Sequence, residues 1–425
     1  LPRDANDPFW VDGETIGSGL EVFRQAAPPS ARSFSATFVA PAGWAYEPDG
    51  SEGLALVTSL VQAAAAGRRD RVELARFLDR HGATLTRRVA PESAEVTVWG
   101  PGWSFGPLMG LLADVVLRPR FDPTDLERVR RQVFERQLRE ESQPASRAER
   151  ELFAAIFPPT HPYHRTGSGT RRSVTRLRKR DLQRFHREHF SAEGSLLVVT
   201  ARSSREAVIR DATKRFDGID RATAPTTPAV PRIRPVPARV RKIPMAGRSQ
   251  VEVLIGGTSI RRTDERYPEA FLGNEVLGGG LLSRLFQRVR ERAGLAYHAS
   301  SELEAMRWGG YWQARAGTGP ERVDAAARLV AEEVRRIRER PIPPGELRRI
   351  RESTIGELPL AIETAQGAHA LAVDVAYHHL GPEFLRGWPA TLRRVTAQRI
   401  RAVAAESMGE TASTTVLAGP ISKSG

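Results

Sequence analysis

At 425 residues, 40% apolar and 27% charged, the chain has the composition of a globular protein too long for one ordinary core. It contains no cysteine, which excludes disulfides, thiolate nucleophiles and cysteine-based metal sites. It also has no apolar run of about eighteen residues, so no helical membrane span is expected. The formal charge of +14 comes almost wholly from arginine, with lysine only at Lys179, Lys214, Lys242 and Lys423. The arginines are interleaved with glutamates, as in RVRRQVFERQLREE, which is the pattern of solvated helix faces; no nucleic-acid partner is expected from it.

The elements follow in chain order. SFSATFVAP, from Ser33 to Pro41, alternates apolar and polar residues and predicts a half-buried strand. LALVTSLVQAAAA, from Leu54 to Ala66, reads as a buried helix, and FLDRHGATL, ending at Leu85, as another. AEVTVWG (Ala94 to Gly100) is a strand. RPRFDPTDLERVRRQ, from Arg118 to Gln132, is a Pro-containing turn followed by an Arg-rich helix. DLQRFHREHFSAEGSLLVVTA, ending at Ala201, is a helix and then a β-prone run. Prolines 225, 228, 231, 235, 237 and 244 mark residues 221–247 as an extended linker, because proline cannot continue a helix or serve a central strand.

Beyond the linker the order repeats. QVEVLIGG (Gln250 to Gly257) and GGYWQARAG (Gly309 to Gly317) are strands. RERPIPPGELRRIRE (Arg338 to Glu352) matches the turn and Arg-rich helix of the first half, and QRIRAVAAESMGETASTTVLAG, ending at Gly419, matches its last helix and strand. A duplicated unit follows. The expected fold is α+β: two duplicated lobes, 1–220 and 248–425, each a mainly antiparallel sheet covered by helices and joined by the linker.

Four stretches, in this order and spacing, resemble the pitrilysin/insulinase family of zinc peptidases, particularly the short two-lobed members similar to mitochondrial processing peptidase. They are APAGWAYEPDGSEGLALVTSLV (Ala40 to Val61), FLDRHGATL, HPYHRTGSGT (from His161) and LGGGLLSRLFQRVRERAGLAY (Leu277 to Tyr297). The resemblance covers nearly the whole chain and implies a clam-shell of two lobes. In active members a His-x-x-Glu-His motif follows a Gly-Leu-Ala lead on a helix. That spacing brings two zinc-ligating histidines and the glutamate that takes a proton from metal-bound water to one helical face.

Here the lead is Gly53, Leu54 and Ala55, and the motif positions hold Leu56, Ser59 and Leu60. Leucine cannot ligate a metal and serine is a poor base, so no zinc is expected in this chain. The family's third ligand falls at Glu135 or Arg136 on the helix between about Asp125 and Glu141. Other histidines carry bland readings. His186 and His189 belong to an ordinary helix, His161 and His164 to a structural turn, and the neighbours His378 and His379 point apart on a helix. Gly278, Gly279 and Gly280 lack phosphate-loop spacing, and the resemblance implies a part in substrate handling for this short loop.

The second-lobe motif departs less from the family. The resemblance implies that Arg290 binds substrate backbone carbonyl and that Tyr297 helps hold the scissile carbonyl or its oxyanion, roles that suit a permanent multi-donor cation and a phenol. A chain with the zinc half erased and this half retained is expected to be inactive alone. It would be the non-catalytic subunit of a heterodimer whose homologous sister subunit carries zinc, acting on unstructured peptides; the alternative is a scaffold with no part in proteolysis. The start at Leu1 inclines the expectation toward export to a bacterial periplasm.

Overall fold

The computed structural model describes residues 7–221, 228, 230–231, 238–408 and 413–422. The first half contributes β1 (Val11–Thr15), β2 (Glu21–Ala26), β3 (Ser33–Ala40), α1 (Leu54–Gln62), α2 (Arg71–Arg80), β4 (Thr84–Val89), β5 (Ala94–Pro101), α3 (Phe105–Leu117) and α4 (Pro123–Ser142). It continues with α5 (Pro144–Ile156), α6 (Arg171–Arg176), α7 (Lys179–His189), β6 (Leu196–Ala201) and α8 (Arg205–Phe216). The second half begins with β7 (Arg239–Pro244), β8 (Val251–Ser259), α9 (Tyr267–Gly278), a π-helical segment over Phe286–Arg292, β9 (His298–Ala305) and β10 (Gly310–Thr318). It ends with α10 (Val323–Glu339), α11 (Pro344–Ile362), α12 (Ala365–Tyr377), α13 (Phe384–Arg394), α14 (Ala397–Ser407) and β11 (Ser413–Gly419).

The strands form two mixed sheets in an α+β fold, ordered β1-β2-β6-β3-β5-β4 and β7-β11-β8-β10-β9. Apart from the extra β1, the two orders correspond strand for strand. The parallel pair β2–β6 matches the parallel pair β7–β11. The antiparallel pairs β6–β3, β3–β5 and β5–β4 match β11–β8, β8–β10 and β10–β9. The duplication read from the sequence is therefore present in the pairing itself.

Two local readings change. FLDRHGATL is not one helix: α2 stops at Arg80, and Gly82, at φ 57°, turns the chain into β4. The buried helix from Leu54 is also shorter than its apolar run, ending at Gln62 before a bridge at Ala66. In the expected linker, residues 222–227, 229 and 232–237 (Pro225, Pro235 and Pro237 among them) lie outside the described residues. Its last part is β7, which takes the edge of the second sheet, where Pro244 at the strand end costs no ladder bond in the interior.

By contacts the described chain divides into two compact units drawn from both halves of the sequence. One is Leu1–Gln137, Thr166–Pro228 and Glu357–Trp388; the other is Leu138–Arg165, Ala229–Gly356 and Pro389–Gly425. Thus α12 covers β2, β3 and β6 in the first unit, while α5 covers β8 and β11 in the second.

This exchange explains why β3 is buried along almost its whole length although its alternation predicted a half-buried strand. Phe34, Ala36 and Phe38 face the main core, where Phe38 stacks on Phe190 and Phe216 at 6.3 and 5.8 Å. Val39 faces a second cluster with Val198, Ala372 and Val375. On that same side Thr37 Oγ1 lies 2.7 Å from His369 Nε2, and Thr200 Oγ1 lies 3.0 Å from His369 Nδ1. Thr200 also donates to Gln25 Oε1 at 3.1 Å, so the short polar residues of the strands become partners for one buried imidazole.

Candidate functional site

The helix that would carry zinc is α1. Its lead glycine, Gly53, sits at φ 92°, which a side chain would oppose, and a Cβ there would meet Val174 at 2.9 Å. The free amides at the helix start are taken by Glu47, whose buried carboxylate accepts from Gly53 N at 3.0 Å and Ala55 N at 2.8 Å. At the other end Gln62 donates to the Val115 carbonyl at 3.1 Å. The helix is thus locked at both ends.

Its sides are packed as well. Leu56 and Ser59 are 8% and 1% exposed, and Leu60 is partly buried against the main core. Ser59 Oγ is buried without a hydrogen-bond partner. None of the three offers a metal ligand, and Glu135 and Arg136 both lie on the exposed face of α4, whose buried side is Leu126, Val129 and Val133. Among the described residues no three histidine, cysteine or carboxylate side chains come together as a metal group.

Four of the other histidines singled out in the sequence bond local or neighbouring backbone. His186 Nε2 donates to the Val116 carbonyl and His189 Nδ1 to the Pro41 carbonyl, each at 2.9 Å, so the pair turns to different backbone partners. Burial lowers both to about 4, which keeps them neutral. His161 Nδ1 accepts from Tyr163 N at 3.1 Å within a 3-10 turn, and His164 Nδ1 bonds the Phe157 carbonyl at 2.9 Å. His378 caps the end of α12, and its Nε2 lies 3.8 Å from Asp374. Gly278 ends α9 where a Cβ would meet Ser301 N at 2.0 Å, so its role is close helix-to-strand approach, not a phosphate cradle.

The segment carrying Arg290 and Tyr297 is held differently. Arg284 makes a two-pronged pair with Glu346, both contacts at 2.8 Å, and Arg288 pairs with the fully buried Glu333. These anchors fix the π-helical segment from beneath, and neither was singled out in the sequence because Arg–Glu pairs far apart in the chain leave no local pattern. Arg290 is left with Phe286, whose ring centroid lies 4.8 Å from its guanidinium carbon, and with a loose 3.8 Å approach to Glu291. After a turn at Gly294 (φ 61°), Tyr297 N donates to the Gly317 carbonyl at 2.8 Å, extending the β9–β10 ladder by one residue. The Tyr297 side chain is 66% exposed, and its hydroxyl has no hydrogen-bond partner among the described residues. Leu281 and Leu282, just upstream, are also exposed.

Residues 176–354 match the family described as peptidase M16 inactive domain. Over that region the chain is similar to the M16 peptidases. A Streptomyces coelicolor protein described as an uncharacterized zinc protease is 28% identical over 278 residues, 64% of this chain and 60% of that protein. The match thus spans less than two thirds of that relative's length. Two solved structures share the fold. One, a protease from Helicobacter pylori, has a TM-score of 0.90 at 17% identity and covers 97% of this chain and 99% of its own. The other, a peptidase M16 inactive domain from Pseudomonas fluorescens, has a TM-score of 0.86 at 21% identity, covering 98% and 99%. The chain shares the fold of these structures, and Leu56, Ser59 and Leu60 offer neither an imidazole ligand nor a carboxylate base.

Proposed function

We propose that this chain is the non-catalytic subunit of a heterodimeric metallopeptidase. In this reading a homologous sister subunit carries zinc on its own His-x-x-Glu-His helix, and this chain supplies Arg290 and Tyr297 to a composite site. The observation that carries the reading is a contrast in packing. The α1 positions are filled and closed, whereas Arg290 and Tyr297 stand exposed on an anchored segment with their polar groups uncommitted. Exposing this guanidinium and this phenol on one anchored segment does nothing for the chain's own core.

An unstructured peptide would lie along β9, the edge strand next to Tyr297, as an added strand. Arg290 would donate to a peptide carbonyl, and Tyr297 to the carbonyl that gains charge as it is attacked. A periplasmic setting belongs to the same proposal: a periplasmic protease of Escherichia coli shares the fold at a TM-score of 0.79, over 45% of that longer chain. Osmotic-shock fractionation of a native host would place the protein in the released fraction, and recovery with the cytosol would refute that setting.

The test is cleavage of a quenched fluorescent peptide by this chain, by a zinc-motif sister chain from the same source, and by their mixture. Cleavage confined to the mixture supports the composite site. A mixture no more active than the sister alone would instead favour a scaffold with no part in proteolysis.

A further inference from the structure

Several arginines of the helix faces are paired at short range. Arg130 pairs with Glu127, Arg215 with Asp211, and Arg336 with Glu333. One place in the first unit departs from this. A cleft of about 980 Å³ opens between α2 and α3, lined by Arg68, Arg69, Arg76, Arg80 and Arg118, with only Glu73 and Asp114 to oppose them. A smaller cleft sharing Arg69, Asp114 and Arg118 carries the same face on to Arg215.

The arginines divide into two sets. Asp114 holds Arg69 at 3.0 Å and also pairs with Arg118, while the Arg69 guanidinium lies over the Phe77 ring at 4.2 Å. These form the floor. Glu73 is engaged with the Asp70 amide at 2.8 Å, as its part of the α2 capping box. Arg68, Arg76 and Arg80 are exposed and make no hydrogen bond or ion pair among the described residues. The cleft therefore has a floor whose arginines are engaged by Asp114, and three uncommitted guanidinium groups around it.

We infer that this cleft binds an extended acidic peptide segment, whose carboxylates pair with Arg68, Arg76 and Arg80. Arg76 and Arg80 are one helical turn apart, about 6 Å along the axis. Side chains on one face of an extended chain recur at about 6.6 Å, so acidic residues at alternate positions meet both arginines. A single phosphate fits less well, because the first amides of α2 at Val72 and Glu73 are already taken by Asp70 and offer no free cradle. Single-stranded nucleic acid fits less well too. The only aromatic ring lining the cleft, Phe77, is covered by Arg69 and by His81, with ring centroids 4.2 Å apart, so no base can stack on it.

The site needs neither the sister subunit nor cleavage, so it can be tested with this chain alone. A fluorescein-labelled decapeptide alternating Glu and Ser is titrated by anisotropy against the full chain. A Gln–Ser decapeptide, a labelled single-stranded oligonucleotide and inorganic phosphate are run in parallel. The Glu–Ser peptide should bind saturably and the Gln–Ser peptide should not. The double variant Arg76→Gln/Arg80→Gln should weaken binding about tenfold or more, whereas Arg131→Gln on the exposed face of α4 should not. Arg68→Gln should give a smaller loss, which keeps the test decisive if the double variant is poorly folded. Absence of binding by the Glu–Ser peptide, equal binding by the arginine variants, or tighter binding of the oligonucleotide or of phosphate that is lost in the same variants would each overturn the assignment.

Discussion

Helix α1 and the segment from Phe286 to Tyr297 are packed in opposite ways. At α1, leucines and a serine are packed into the core, and Glu47 and Gln62 tie down the ends. In the second segment Arg290 and Tyr297 stand exposed, clear of the packing. Arg284 and Arg288 pair with Glu346 and the buried Glu333, so that Arg290 and Tyr297 do not have to. The lesson is that a helix without ligand residues can be packed as closely as ordinary core, while polar side chains on an anchored segment stay exposed.

This contrast can be broken by substitution. Ser59→Glu puts a carboxylate where exposure is 1%, and we expect a loss of about 3–5 kcal/mol in urea unfolding. If the variant is as stable as the parent, α1 is not the sealed helix described. Glu47→Ala removes the acceptor of the first α1 amides and should cost about 2–3 kcal/mol, read in the same assay.

Acid sharpens the comparison. His186 and His189 are lowered to about 4 and His369 to about 3, in each case by burial, and all three belong to the first unit. Below the ordinary histidine range the unfolded chain takes up protons that the folded chain refuses. Stability is therefore complete above about pH 6.5 and is lost as the pH falls toward 4. For the fully buried His369 the loss is about 2 kcal/mol at pH 5. Urea unfolding at pH 7 and pH 5 should show this loss and show it reduced in His369→Gln; equal midpoints at both pH values would contradict it. The smallest effect is expected at the exposed pair: Arg290→Ala and Tyr297→Phe should each change stability by less than about 0.5 kcal/mol. A larger loss would make them structural residues.

Much of the fold was legible because apolar alternation and the repeat are local signals. β3, β5, β8 and β10 lie where their alternation put them, and the helix-then-strand endings at Ala201 and Gly419 are α7–β6 and α14–β11. The reciprocal placement of α5 and α12 was not legible, since an amphipathic helix does not say which sheet it covers. His369 was missed for the same reason: its partners Thr37 and Thr200 are far away in sequence, and a lone histidine in AQGAHALAVD carries no motif. At the candidate site, the burial of Leu56 and Ser59 could be read from the apolar run that carries them. The anchoring of Arg284 and Arg288 could not, because it depends on long-range pairing.

The most direct test of the central claim is the rate of peptide cleavage by the mixture of this chain and its zinc-bearing sister, with and without Arg290→Ala. Cleavage should appear only in the mixture, and Arg290→Ala should lower it by about a hundredfold while leaving the complex and its stability intact. Chelator-sensitive cleavage by this chain alone, or a mixture indifferent to Arg290→Ala, would contradict the division of labour proposed for the two subunits.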